Sequence, residues 1–241
     1  MKKTKLKLAE VLERLEEHYG VQEAVGPIDP YEMILFMNCG YPATDVSCLK
    51  GYEALKLNVG TEPERILAAS KPKLAKLMRH GGIIPELRAE RLKIIARMLN
   101  NEFGGDLRGA LEKLLQGTED SPGKRIQDVK KVLKQFPVIG EPGADKILLF
   151  GRMAPVVAVP SAFVCVPQRI LCGKEHKNYV KGYQAGQEAM GAGLPTTLEA
   201  RQRTYLLLKR HGQEICRRTK PKCDICPVSE VCVYYRDRYS K

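Results

Sequence analysis

The sequence predicts an all-α protein. Apolar residues recur every three or four positions through most of its 241 residues, helix-starting Asp, Ser, Thr or Pro signals precede those stretches, and no strand-like alternation persists. Leu8, Val11, Leu12, Leu15 and Tyr19 share one face of a helix over residues 5–19, which Gly20 is placed to end. Asp29-Pro30-Tyr31-Glu32 supplies an N-cap, a proline at the first helical position and an early carboxylate, opening a helix through Met37.

The next helix starts around Ala43-Thr44-Asp45-Val46-Ser47, and Thr61-Glu62-Pro63-Glu64 reads as a capping box. Ser70-Lys71-Pro72 begins a helix that Gly81-Gly82 ends. From Ile84 to Leu99 the apolar positions Leu87, Leu92, Ile95 and Leu99 face a core, with Arg88, Glu90, Arg91 and Lys93 outside. Leu107 to Leu115 continues the pattern, and residues 117–123 read as a loop. Arg125 to Gln135 is a helix, Phe136 to Gly143 a tight turn, and Ala144 to Phe150 a second helix. Three more are expected near Ala162 to Leu171, Lys177 to Met190 and Leu198 to Cys216. Internal repeats and low-complexity tracts are missing.

Hydrophobic residues at 44% and charged residues at 28% fit a soluble chain long enough for one large core or two smaller ones. The longest apolar run, Ala154 to Val166, contains Pro155, Pro160 and Ser161 and is too short for a bilayer. Met1-Lys2-Lys3 leads into an amphipathic helix without a cleavable apolar stretch, so no membrane partner and a cytoplasmic location are expected, nucleoid-associated if the source is bacterial or archaeal. The net charge of +12 favours a polyanionic partner. Residues 201–241 hold eleven Lys or Arg against four Asp or Glu, so +7 of the +12 lies in that tail.

The tail also carries Cys216-x6-Cys223-x2-Cys226-x5-Cys232, half of the eight cysteines. In a chain of this length without a secretory signal, a metal site is favoured over a disulfide framework. Four thiolates suit tetrahedral zinc, although zinc usually takes two Cys-x2-Cys knuckles and one is present. They suit a [4Fe-4S] cluster equally, each thiolate taking one iron. On ligand chemistry alone the two stand about level. Arg217, Arg218, Lys220 and Lys222 lie between the first two ligands, in a loop that metal would pin at both ends and aim at phosphates. Cys39, Cys48, Cys165 and Cys172 share no ligand spacing and read as buried small hydrophobes. The four histidines are scattered and form no metal pair, while Tyr179, Tyr183 and Met190 fit a core face.

The 6, 2, 5 spacing resembles the iron-sulfur motif of the endonuclease III branch of the helix-hairpin-helix DNA glycosylases, and Leu206 to Ile215 resembles the helix leading into it. The resemblance runs with gaps from about Asp29 to Cys232. It implies a [4Fe-4S] cluster on Cys216, Cys223, Cys226 and Cys232, and a monomer acting on double-stranded DNA in base-excision repair. It implies two helical lobes: a barrel over residues 29–150 containing the hairpin, and a cluster lobe of residues 1–28 with 151–241. DNA is expected to lie between the lobes, with a nucleotide extruded from the duplex. Phe136 to Ala144 resembles the family hairpin, in which Gly140 and Gly143 would bring backbone to a phosphate.

In the hairpin and the segment after it, three positions depart from the family pattern. The first hairpin glycine is Val138, the catalytic lysine position is Pro142, and the aspartate position is Pro160. A proline has no amine for a Schiff base, so lyase activity is not expected. Pro160 supplies no carboxylate to a cationic sugar-like transition state. A DNA-binding protein of damaged or distorted duplex is therefore expected. The alternatives are a monofunctional glycosylase with a relocated set, for which Asp145 and Lys146 are candidates one turn beyond Pro142, and a zinc-bound interaction scaffold. Glu141 reads as an exposed turn residue. The family's DNA-probing glutamine is replaced by Pro42, leaving Tyr41 or Asn38 to fill the role.

Overall fold

The computed structural model describes residues 2–40, 44–118 and 120–239, with side chains from Leu8 onward. It is all-α, with no strand among those residues. Thirteen α-helices follow one another: α1 (Lys2–Tyr19), α2 (Pro30–Gly40), α3 (Asp45–Asn58), α4 (Pro63–Ala68), α5 (Lys71–Met78), α6 (Pro85–Phe103), α7 (Leu107–Gln116), α8 (Pro122–Leu133), α9 (Glu141–Phe150), α10 (Cys165–Pro167), α11 (Tyr179–Gly191), α12 (Leu198–Glu214) and α13 (Val233–Tyr239). The chain divides into two compact units, Val25–Met153 and the two chain ends together, Met1–Ala24 with Ala154–Lys241. No helix among the described residues is long and apolar enough to cross a membrane.

In the unit of residues 25–153, α2 packs on α3, α5 on α6 and α8 on α9. Its helix starts follow local chemistry. Asp29 Oδ1 accepts from the Tyr31 and Glu32 N–H groups at 3.0 and 3.1 Å, and Thr44, Ser70 and Ser121 cap their helices in the same way. Thr61 does not cap α4. Pro63 stands at the first helical position without an N–H, and the Thr61 hydroxyl donates instead to Glu32 Oε1 at 2.9 Å.

On α6 the expected register is corrected. Leu87 is exposed, whereas Arg88 is fully buried and donates to the Cys39 and Gly40 carbonyls at 3.0 Å each. A helix end leaves carbonyls without intrahelical partners, and the guanidinium fork satisfies two of them at the end of α2.

The other unit is built around α1 and α12. Leu8, Val11, Leu12 and Leu15 join Val166, Ile170, Leu207 and Leu208 in one core. The helix expected at 162–171 is instead a distorted segment in which a 3₁₀ turn, the short α10 and a π stretch over Gln168–Cys172 succeed one another. Tyr183 and Met190 are buried, but Tyr179 is half exposed. Cys39, Cys48 and Cys165 are buried; Cys172 is exposed, contrary to expectation.

Candidate nucleic-acid interface and metal centre

The hairpin starts from a four-residue turn. Ile139 N–H donates to the Phe136 carbonyl at 3.2 Å across Pro137 and Val138, and Val138 has φ of +71°. Proline second and a positive φ third is the type II pattern, which ordinarily takes glycine at the third place. Asn38 Nδ2 donates to the Pro137 carbonyl at 2.9 Å and to the Ile34 carbonyl at 2.9 Å, so it holds the flipped peptide from α2. Asn38 is 1% exposed and is a strut for the turn, not a DNA probe. Tyr41 and Pro42 lie outside the described residues.

Helix α9 begins three residues earlier than the sequence pattern predicts, with Gly140 as N-cap. Pro142 therefore sits in the first helical turn, where a missing N–H costs little. Gly140 is exposed, but Gly143 is buried: a Cβ there would lie 3.2 Å from Met37 Cε, so this glycine serves packing against α2.

Asp145 and Lys146 are drawn into separate contacts. Asp145, 1% exposed, accepts an ion pair from Lys130 of α8 at 2.8 Å, and Lys130 also reaches Glu141. Glu141 is paired with Lys134 as well, at 2.9 Å, which makes it half of a clamp across the hairpin. Burial raises the Glu141 carboxyl, but hydrogen bonds from Lys130 and Lys134 outweigh it and hold the group below its ordinary value. Lys146 instead faces Asp45 at 3.7 Å and lies 5.8 Å above the Phe36 ring.

In the other unit, Cys216, Cys223, Cys226 and Cys232 line one cavity together with Arg169, His211, Tyr234 and Tyr235. Among the described residues no three His, Cys, Asp or Glu side chains stand at the spacing of a single ion's ligands. The shared cavity is the more informative observation, because a four-iron unit spreads its thiolates, one to each iron. Burial pushes the Cys216 thiol up to about 12, against the pull of Arg169, and Cys226 up to about 11, against the Val228 N–H. Such thiolates need a cationic partner, and iron bound here would supply it. The donor set fits the group.

Arg169 organises one side of this centre. Its Nη1 lies 3.7 Å from Cys216 Sγ and donates to the Arg217 carbonyl at 2.7 Å, Nη2 donates to the Arg218 carbonyl at 2.9 Å, and Nε pairs with Glu175 at 2.6 Å. The backbone of Arg217 and Arg218 is thus fixed from below, and Lys222 N–H donates to the Ile215 carbonyl at 3.0 Å. The side chains of Arg217, Arg218, Lys220 and Lys222 remain exposed, and Lys220 adopts φ of +54°.

His211 is the histidine that spacing does not single out. It is fully buried, with Nε2 3.7 Å from Cys226 Sγ and Nδ1 3.0 Å from the Tyr19 hydroxyl; burial pushes it down to about 4. Gly212 beside it leaves room for the Phe163 ring, which a Cβ would approach to 2.5 Å.

No family model matches the chain. A thymine/uracil-DNA glycosylase of Methanothermobacter thermautotrophicus is 30% identical over 176 residues, covering 71% of this chain and 67% of the relative. The chain belongs to the endonuclease III-like helix-hairpin-helix DNA glycosylase superfamily. An endonuclease III of Rickettsia conorii is 26% identical over 80% of this chain and 79% of its own length. The fold matches that of a trapped endonuclease III–DNA covalent intermediate with a TM-score of 0.71 at 17% identity, over 97% of this chain and 98% of that one. In this chain Pro142 lies in the first turn of α9, and Pro160 directly precedes the 3₁₀ turn of Ser161–Phe163.

Proposed function

We propose that this protein binds damaged or distorted double-stranded DNA in base-excision repair, as a monomer, without Schiff-base lyase chemistry. The observation that carries the reading is Pro142 within the first turn of α9. The hairpin scaffold is retained while the amine is not, and the neighbouring Lys130 and Asp145 are locked in a buried pair. In this reading the hairpin around Gly140 and the loop of Arg217, Arg218, Lys220 and Lys222 grip phosphates. Cys216, Cys223, Cys226 and Cys232 hold a [4Fe-4S] cluster, whose chemistry here is to cross-link the tail and fix that loop. Relatives named as DNA glycosylases and endonuclease III, and a fold shared with an endonuclease III–DNA complex, support it. The lobes proposed are residues 29–150 and residues 1–28 with 151–241. The site of action is the nucleoid or, more generally, chromosomal DNA.

A second reading, base release by a relocated set, is favoured by the Lys146–Asp45 pair, an amine and a carboxylate 3.7 Å apart and partly exposed. One experiment separates the readings. Protein with measured iron and sulfide content is mixed, in single-turnover excess, with duplexes carrying uracil, thymine opposite guanine, oxidised pyrimidines, alkylated purines or hypoxanthine. Binding with every base retained supports the DNA-binding reading; release of any base refutes it. Zinc in place of iron would return the tail to the scaffold alternative. Neutralising the four loop cations one at a time is expected to flatten the dependence of log K on log salt by about 0.9 for each phosphate no longer neutralised.

A further inference from the structure

The chain places a tyrosine, a histidine and a cluster ligand in one line. Tyr19 ends α1, and its hydroxyl lies 3.0 Å from Nδ1 of His211 on α12, 192 residues away. The opposite ring nitrogen, Nε2, lies 3.7 Å from Cys226 Sγ. The imidazole is fully buried. A neutral imidazole carries one N–H and one acceptor nitrogen, and its two partners decide which is which. A thiolate bound to iron has no proton to offer, so Nε2 must donate to Cys226 Sγ. Nδ1 is then the acceptor, and the Tyr19 hydroxyl is the donor that suits it. Only one arrangement satisfies both ring nitrogens.

Resting on the cluster reading above, we infer that Tyr19 and His211 form a hydrogen-bond relay to Cys226 that tunes the cluster, with Tyr19 as the positioning residue. Hydrogen bonds to cluster sulfurs offset negative charge on the thiolates and favour the reduced state, and outer partners that orient a group at a metal site matter almost as much as the ligands. Arg169 delivers a second N–H to Cys216 Sγ from a different element, so the two donors act on different thiolates. The relay differs from Arg169 in reach. Arg169 also holds the loop backbone, whereas the bonds of the Tyr19 hydroxyl and the His211 ring go to each other and to Cys226, outside residues 217–222. Changing the relay is expected to alter the cluster and leave phosphate binding unchanged.

The test uses the full chain with its cluster. Midpoint potential is measured by voltammetry and the Fe–S(Cys) stretching bands by resonance Raman for the parent, Tyr19→Phe, His211→Leu and the double variant. The relay predicts a more negative potential and a stiffened Fe–S(Cys) band in His211→Leu. Tyr19→Phe should move both in the same direction by a smaller amount. In the double variant, Tyr19→Phe should add nothing to His211→Leu, because it acts only through the ring. Tyr19→Phe removes a single oxygen and keeps the ring, so it preserves the packing of α1 even if His211→Leu folds poorly. A purely structural tyrosine would lower thermal stability while leaving potential and Raman bands at parent values, and that result overturns the relay. A parent protein containing zinc, or lacking iron and sulfide, would remove the cluster reading as well; a parent with an intact cluster and an unresponsive Tyr19→Phe sinks the relay alone.

Discussion

Val138 is the residue at which the hairpin departs from local preference, and replacing it gives the sharpest test of how the turn is built. Its φ of +71° is a left-handed conformation in which a side chain crowds the following carbonyl, at a cost of about 1–2 kcal/mol for an L-residue. A β-branched residue belongs at the upper end, so Val138→Gly should relieve roughly 2 kcal/mol. Two effects oppose the gain. Glycine loses about 0.4–1 kcal/mol more chain entropy on folding. The side chain is half buried, and deleting it forfeits roughly half of the ~1.5–3 kcal/mol that full burial provides. On these magnitudes the net change for Val138→Gly lies between about 0.5 kcal/mol of destabilisation and about 0.9 kcal/mol of stabilisation, centred close to zero. Val138→Ala gives up much of the same burial and keeps part of the strain, so it should destabilise by about 1 kcal/mol. Melting followed by circular dichroism should place the glycine variant roughly 2–4 °C above the alanine variant. At an ordinary position glycine would fall below alanine. Finding that order here would refute the strained type II turn.

The same hairpin supports further expectations. Asn38→Leu removes both donors that hold the Pro137 and Ile34 carbonyls, and urea unfolding should register a loss of about 2–3 kcal/mol. Lys130→Met takes the cation away from buried Asp145 and should cost about 3–5 kcal/mol, whereas Lys130→Met with Asp145→Leu should recover most of it; additive losses would argue against a coupled pair. Because the Glu141 carboxyl is held below its unfolded value, its contribution is present above the ordinary glutamate range near 4.3 and is lost as pH falls through the lower folded value. Glu141→Gln should therefore flatten that part of an acid titration of stability, and an unchanged profile would remove Glu141 from it. Pro142→Lys, which returns an amine to the first turn of α9, is expected to yield a borohydride-trapped adduct on an abasic duplex where the parent yields none.

Helices are legible in the sequence where the signal is local. Asp29, Ser70 and Ser121 cap the helices they precede because a side-chain oxygen two or three residues from an N–H needs no distant partner. The α6 register is not legible at Arg88, because charge alone suggests solvent while the carbonyls it satisfies lie 48 and 49 residues away. Pro142 reads as the edge of a turn and lies inside a helix, a position proline tolerates only in the first turn. Cysteine spacing points to one centre, and the four thiols do share a cavity. Arg169, His211 and Tyr19 carry no comparable signal. Arg169 and Tyr19 reach the centre across 47 and 192 residues, from segments whose composition resembles ordinary core, and His211, close in sequence, is one of four scattered histidines without ligand spacing.

The pairing of the two chain ends has a consequence for synthesis. Helix α1 leaves the ribosome well before its core partners, because the partners of Leu8, Val11, Leu12 and Leu15 lie between Val159 and Cys232. At about 5–20 residues per second, the apolar face of α1 waits roughly 10–40 s for them, long enough for residues 25–153 to fold in the interval. A ribosome-bound nascent chain stalled before Val159 emerges should therefore carry a finished hairpin unit and an α1 whose apolar face still lacks its partners, the species on which a chaperone would act.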